Sequence, residues 1–307
     1  MMARGAGGRI VFSVGAAVIS LAAVFTMAWA DPGRAEAWEK GRIFLWSVAG
    51  EKGTLHLLGS IHALKDDAYP LDDRIEQAYA KSVRVVFEAD QEETAGTEMQ
   101  KELVERGTYT GDTTLKDHIS KDTCRLLEEK AHAAGLDIAK LQRLRPWLCA
   151  VSLSAMEMAR MGFSPENGID AHYAARAKKD GKERVFLESA RLQVDLLAGM
   201  PEDLQEELLR QALRELEVIR EKSAALAGAW KSGDVRALEE IVSISLNEHP
   251  KVRKDLFTER NEQWVSRLEE LMKARGDTLV IVGAGHLVGD DGILSLLRRK
   301  GFGPVQQ

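Results

Sequence analysis

Two kinds of apolar patterning alternate along this chain, short uninterrupted or alternating runs and longer stripes at helical spacing. Residues 43–48 and 54–58 are short apolar runs flanking the Gly50-Glu51-Lys52-Gly53 turn, which predicts a β-hairpin. Residues 71–80 place Ile75 and Tyr79 on one face of a helix, and residues 83–87 form an apolar strand. Residues 97–165 read as helical, with a stop and restart near Pro146, and residues 167–179 as another helix. A short strand at 185–187 is bounded by charges. Residues 201–229 carry Leu204, Leu208, Leu209, Leu213, Leu216 and Ile219 at helical spacing behind an acidic first turn, and residues 251–274 form a second amphipathic helix. A buried strand at 279–282, a helix at 290–299 and a final edge strand at 303–306 follow. The strand–helix–strand order of residues 60–86 and 282–305 predicts an α/β fold: a mixed central sheet covered by helices, with two helical insertions.

The first thirty residues are of different material. Arg4 and Arg9 are their only charges, residues 10–30 are apolar or small throughout, and Ala28-Trp29-Ala30 has the small residues of a signal-peptidase site. This describes a secretory signal peptide. The 21 residues from Ile10 to Ala30 are also long enough to span a bilayer, so an uncleaved N-terminal anchor is the alternative. Either way the rest of the chain, residues 31–307, is expected to be exported, to the periplasm or beyond the cell, or held at the inner membrane by residues 10–30, and to form one domain.

Composition narrows the function classes. The chain has 307 residues, 45% hydrophobic and 29% charged, an ordinary globular balance. Its 48 acids outnumber 42 bases; without residues 1–30, which hold two arginines and no acid, the balance is 48 against 40 and the net charge −8 rather than −6. An acidic chain argues against nucleic acid as the main partner, because phosphate neutralisation needs a basic face. A mean hydropathy of −0.23 excludes a polytopic membrane protein. No nucleotide-binding glycine motif is present. Cys124 and Cys149 fall in helical stretches; in an oxidising compartment they could pair, or both remain buried free thiols.

The candidate chemistry lies at the ends of four predicted strands. The runs ending in His62, Glu88, Glu188 and His286 each finish on a side chain able to bind a metal or move a proton. In open α/β sheets, ligands bind beyond the carboxyl ends of the strands. Both histidines follow a glycine by three residues, Gly59-x-x-His62 and Gly283-x-x-His286. Neither has a partner at i+4, so the ligands would converge from distant strands. Two imidazoles and two carboxylates on one rim could be a metal site or a general acid–base cluster.

The segments Leu57-Leu58-Gly59-Ser60-Ile61-His62 and Val280-Ile281-Val282-Gly283-Ala284-Gly285-His286, with an acid after Val85-Val86-Phe87, resemble the TraB/GumN family, related to the Tiki metalloproteases. Asn167-Gly168-Ile169-Asp170, Leu187-Glu188 followed by Gln193, and Arg260-Asn261 followed by Trp264 match in the same order, over roughly residues 43–306. The resemblance implies a helix-covered sheet and a metal-dependent, peptidase-like hydrolase, peptidase activity being known for the Tiki relatives. His62, Glu88 and His286 correspond to the proposed metal-binding and catalytic residues. Mn²⁺, Co²⁺ or Zn²⁺ would suit such mixed nitrogen and oxygen ligands.

Other residues carry paired readings. Glu188 is a fourth ligand, the general base, or a structural acid paired with an arginine. Arg260 is a catalytic clamp on a carboxylate, of substrate or of Glu188, or a helix-to-sheet salt bridge. Asp170 and His172 lie near a helix start, where an Asp stabilises the N-terminus, or belong to the site. His56 reads as strand packing, and His118, His132 and His249 as surface. The stretch 90–98 reads as a solvated acidic loop or a lid. The functional expectation is a hydrolase of peptides or other small amides or esters, acting through a metal-activated water, with Glu88 or Glu188 as base. The alternative is a regulatory protein that binds a peptide, metal or porphyrin in the same cleft without turnover.

Overall fold

The structure is a computed structural model that describes residues 41–216, 218–247 and 250–307. The expected leader and His249 lie outside the described residues. The chain begins with the hairpin β1 (Leu45–Ala49) and β2 (Thr54–Ser60), then passes through α1 (Asp73–Lys81) into β3 (Ser82–Phe87). Next come α2 (Gln91–Ala95), α3 (Thr97–Gly107), α4 (Lys121–Ala133), α5 (Ile138–Leu141) and α6 (Pro146–Arg160). After them follow α7 (Ile169–Lys179), β4 (Glu183–Phe186), α8 (Ala190–Ala198) and α9 (Glu202–Glu215). The last third holds α10 (Ile219–Lys231), α11 (Val235–Asn247), α12 (Pro250–Arg253), α13 (Glu259–Lys273), β5 (Asp277–Gly283), α14 (Ala284–Leu287), α15 (Ile293–Arg299) and β6 (Val305–Gln306).

The fold is α/β, and its six strands lie in the order β4-β3-β5-β2-β1-β6. β2, β5, β3 and β4 run parallel, while β1 is antiparallel to both β2 and β6. The parallel strands β2, β3 and β5 are apolar on both faces because both are covered, and Leu57, Leu58, Val85, Val86 and Leu279 to Val282 are almost wholly buried. α1 starts cleanly because the Asp72 carboxylate accepts from the amide of Arg74 at 2.9 Å.

The described chain divides into two compact units. One contains the sheet and residues up to 90, 162–189 and 220 onward. The other is helical and is made of the two excursions, 91–161 and 190–219. Within it α9 packs on α6 and α4, and α8 on α3, so the two predicted insertions close on each other rather than standing apart. Trp147, Leu127 and Leu209 lie in its core. Cys124 of α4 and Cys149 of α6 are both free thiols.

Several local expectations change. The acidic stretch 90–98 is not a solvated loop: it forms α2 and the start of α3, with Thr94 buried. The single helix expected over 201–229 is two, α9 ending at Glu215 and α10 beginning at Ile219. α8 and α11 are additional to the helices expected from the pattern, although Asp234 caps α11 by accepting from the amide of Ala237 at 2.9 Å. The helix expected over 251–274 contains a π-helical turn, Lys254–Thr258, just before Arg260. Such turns shift a helix's register and are frequent at functional sites. Among the described residues, no helix is long and apolar enough to cross a membrane.

Candidate functional site at the carboxyl ends of four parallel strands

The four strands that end in chemistry are the four parallel ones, so their carboxyl ends share one edge of the sheet. Ser60 is in register with Gly283, and Phe87 with both Ile281 and Phe186, which brings the strand ends level. Backbone pairing continues one step further, the amide of Glu188 donating to the carbonyl of Glu88 at 2.9 Å. The rim therefore reads, from β4 to β2, Glu188, Glu88, His286, His62.

The glycines before the two histidines do different work. An added Cβ on Gly283 would lie 3.0 Å from His62 Nε2 and 3.2 Å from Glu88 Oε1. The side chains of three strands thus converge over a bare backbone. Its amide donates to Glu88 Oε1 at 2.6 Å. A Cβ on Gly59 would instead meet Phe44 Cδ1 at 2.5 Å and Ala284 Cα at 3.1 Å, a packing constraint.

His62 is held from behind. The amide of Ile169 donates to the carbonyl of Ile61, and Leu64 pairs with Ser164, so the start of α7 is tied to the end of β2. This places the Asp170 carboxylate 3.1 Å from His62 Nδ1, with Ser60 Oγ donating to the same carboxylate oxygen at 2.8 Å. On its other side His62 Nε2 lies 3.8 Å from Glu88 Oε1, buried and without a hydrogen-bond partner. Burial opposes a charge on His62, but Asp170 and then Glu88 override it and raise the imidazolium to about 9.

His286 is wholly buried and held by an amide. Asn261 Nδ2 donates to the carbonyl of Asp291 at 2.9 Å, which leaves Asn261 Oδ1 to accept. His286 Nδ1, 2.7 Å away, therefore carries the proton, and Nε2 keeps its lone pair. Burial, Arg260 and His62 all push the proton affinity of His286 well below the usual histidine range. Phe257 and Trp264 flank the ring.

Arg260 joins the carboxylates. Its Nε and Nη2 donate to the two oxygens of Glu188 at 3.0 and 2.6 Å, and Nη2 also reaches Glu88 Oε2 at 3.1 Å. Nη1 donates to the carbonyl of Leu256 at 2.7 Å and stands 3.3 Å from His286 Nε2. Burial opposes its charge, but Glu188 and Glu88 hold the guanidinium firmly protonated. Trp264 Nε1 donates to Glu188 Oε2 at 3.2 Å. Burial raises the proton affinity of Glu88, against the pull of His62 and Arg260.

The predicted site residues His62, Glu88, Glu188, Arg260 and His286 are all brought together. The helix-to-sheet salt bridge from Arg260 to Glu188 is present, and both Glu188 oxygens are engaged. Asp170 joins the cluster through His62, whereas His172 stacks on Tyr69. His56 makes the expected cross-strand contact, to Ser47 at 3.1 Å. His118 is not simply a surface residue, being stacked on Tyr109. Asn261 and Ser60 were given no role from the sequence, although both lie in the segments that carry the family resemblance.

The donor set fits a divalent metal in its chemistry. The orphaned Nε2 of His62 and the lone pair on His286 Nε2 face a carboxylate over the open backbone of Gly283; Asn261 fixes the other nitrogen of His286, and the Asp170 carboxylate lies 3.1 Å from that of His62 in an ion pair without hydrogen-bond alignment. Of the three buried carboxylates, those of Glu88 and Glu188 face the Arg260 guanidinium, and that of Asp170 faces His62. Among the described residues, no group of three or more His, Cys, Asp and Glu side chains stands ready to hold a metal ion. Here Arg260 bridges His286 and Glu88.

A model of the TraB/PrgY/gumN family matches residues 44–306. The chain belongs to that family. It is similar to the uncharacterized protein YbaP of Escherichia coli strain K12, 24% identical over 246 residues that cover 79% of this chain and 87% of that protein. It is also similar to an uncharacterized protein of Treponema pallidum, 22% identical over 277 residues that cover 85% of this chain and 81% of the other. No solved structure matches it.

Proposed function

We propose that this protein is a metal-dependent hydrolase of peptides or other small amides or esters, working at the rim of the parallel strands. The observation that carries the reading is the pair of strand-end histidines, each with an acceptor within 3.1 Å of its Nδ1 and its Nε2 turned toward the space above Gly283 that Glu88 also faces. His62, Glu88 and His286 would hold the ion, and their mixed nitrogen and oxygen donors suit Mn²⁺, Co²⁺ or Zn²⁺. When bound, such an ion lowers the pKa of a water and polarises a scissile carbonyl.

The chain's own groups do the rest. Asp170 fixes the His62 ring so that Nε2 points inward. Asn261 fixes His286 in the tautomer that leaves Nε2 free. Glu88, whose proton affinity burial raises, would hold the ion through one oxygen and take the proton from the attacking water on the other. Glu188, with both oxygens on Arg260 and Trp264, acts through Arg260 rather than by transferring a proton. The basic start, apolar middle and Ala-x-Ala end of residues 1–30 support action outside the cytoplasm.

The test is mass spectrometry of a broad panel of peptides and esters incubated with purified protein and each of the three metals. Fragments formed by the wild type and lost in His62→Ala and His286→Ala are expected. Peptide retained intact by the protein would favour a binding role in place of turnover. Fragments formed equally by all three proteins would remove this site from the reaction.

A further inference from the structure

Arg260 has more partners than a salt bridge needs. Its grip on Glu188 through Nε and Nη2, with the Nη1 bond to the Leu256 carbonyl, already holds the guanidinium at 2.6 to 3.0 Å. The two remaining contacts are its longest, 3.1 Å to Glu88 Oε2 and 3.3 Å to His286 Nε2. They fall on two of the three side chains proposed as metal ligands. The His286 contact uses the one lone pair that Asn261 leaves on that ring. A guanidinium is always charged, so where it touches these groups it does the electrostatic work of a metal cation. Carboxylates buried this deeply need a positive neighbour, or a proton, at all times.

We infer that Arg260 is a tethered placeholder cation: in the metal-free protein it holds Glu88 and His286, and when a divalent ion binds it gives them up while staying on Glu188 and Leu256. The inference rests on the metal-dependent reading of the site. Two cations then compete for the same lone pairs, and the observed metal affinity is the intrinsic one lowered by what Arg260 loses. Glu188 is the tether that keeps the displaced guanidinium neutralised and close by. The face of the Trp264 ring lies 4.6 Å from the Arg260 guanidinium carbon, and its Nε1 bonds to Glu188, so its emission reports the shift.

The test is titration of the full chain with Co²⁺ against a competing chelator, followed by the visible absorption of the bound ion and by indole emission, with Trp264→Phe identifying the signal. Two variants keep the net charge of the site: Arg260→Lys, a point charge that cannot fork across four partners, and the double change Arg260→Met with Glu188→Met. Both are expected to bind Co²⁺ at least tenfold more tightly than the wild type, and Co²⁺ should change Trp264 emission in the wild type. Affinities equal to or weaker than wild type in the folded variants overturn the placeholder role. If Arg260→Lys does not fold, the double variant decides, because replacing a buried ion pair by apolar groups of similar volume is commonly tolerated. Absence of Co²⁺ binding by all three proteins overturns the metal-dependent reading itself, a different outcome from equal binding.

Discussion

The ends of β2 and β5 share a motif and differ in almost everything else. Both place a histidine three residues after a glycine, and both bury it. His62 stands between the carboxylates of Asp170 and Glu88, and its charged form is favoured to about 9. His286 stands between an amide and a guanidinium, among aromatic rings, and its neutral form is favoured. The glycines differ likewise, Gly283 opening the site and Gly59 letting β2 pack against Phe44 and Ala284. The chemical state of each histidine is thus set by partners brought from elsewhere in the chain, not by the motif that carries it.

The largest effect that would break this comparison comes from the glycines themselves. Gly283→Ala puts a methyl where His62 and Glu88 converge, and it should reduce Co²⁺ affinity or turnover by about 100-fold or more while the fold, followed by circular dichroism, survives. Gly59→Ala should do the reverse. It should cost about 1–3 kcal/mol in denaturant unfolding through overpacking, since the Ala284 backbone cannot move aside as a side-chain tip can, and leave metal affinity little changed in the folded fraction. If the two substitutions had the same effect, the distinction between the two motifs would fall.

The next effect is on pH. The folded pKa of His62 lies above the unfolded value of 6.5, so its contribution is complete below 6.5 and is lost as pH rises through about 9. The metal-free wild type should lose about 3 kcal/mol of unfolding free energy over that window. Asp170→Asn should flatten that limb. His286 has the opposite sign, and its ring resonances should show a neutral imidazole from pH 9 down to pH 6. Asn261→Asp gives His286 the kind of partner His62 has, and should bring its protonation into that range. An unchanged His286 titration in that variant would count against control by the partner. The smallest effect is Ser60→Ala, which removes the 2.8 Å bond to Asp170; about 1–2 kcal/mol of stability is expected, and a fall of a few-fold in metal affinity.

Much of the sheet was legible because strand signals are local. Short apolar runs ending in His62, Glu88, Glu188 and His286, two of them with a Gly before the histidine, placed all four side chains at strand ends. A parallel arrangement then required those ends to share an edge. The helical regions were less legible. The Leu stripe of 201–229 continues at helical spacing across the break between Glu215 and Ile219, so nothing in the periodicity marks it. The acidic stretch 90–98 reads as solvated because it has no apolar stripe, and in its helical form Thr94 is its one buried residue.

By itself, then, the sequence determined the family, the α/β class and the four residues at the rim, all of which rest on patterns a few residues long. Only the tertiary structure decided which histidine is charged, which acid is tethered and what bridges them. Those outcomes depend on contacts such as Ser60 to Asp170, 110 residues apart, and Arg260 to Glu88, 172 apart. In a site this buried, an imidazole's proton affinity and a carboxylate's role follow from the charges facing it, and the fold alone brings those charges together.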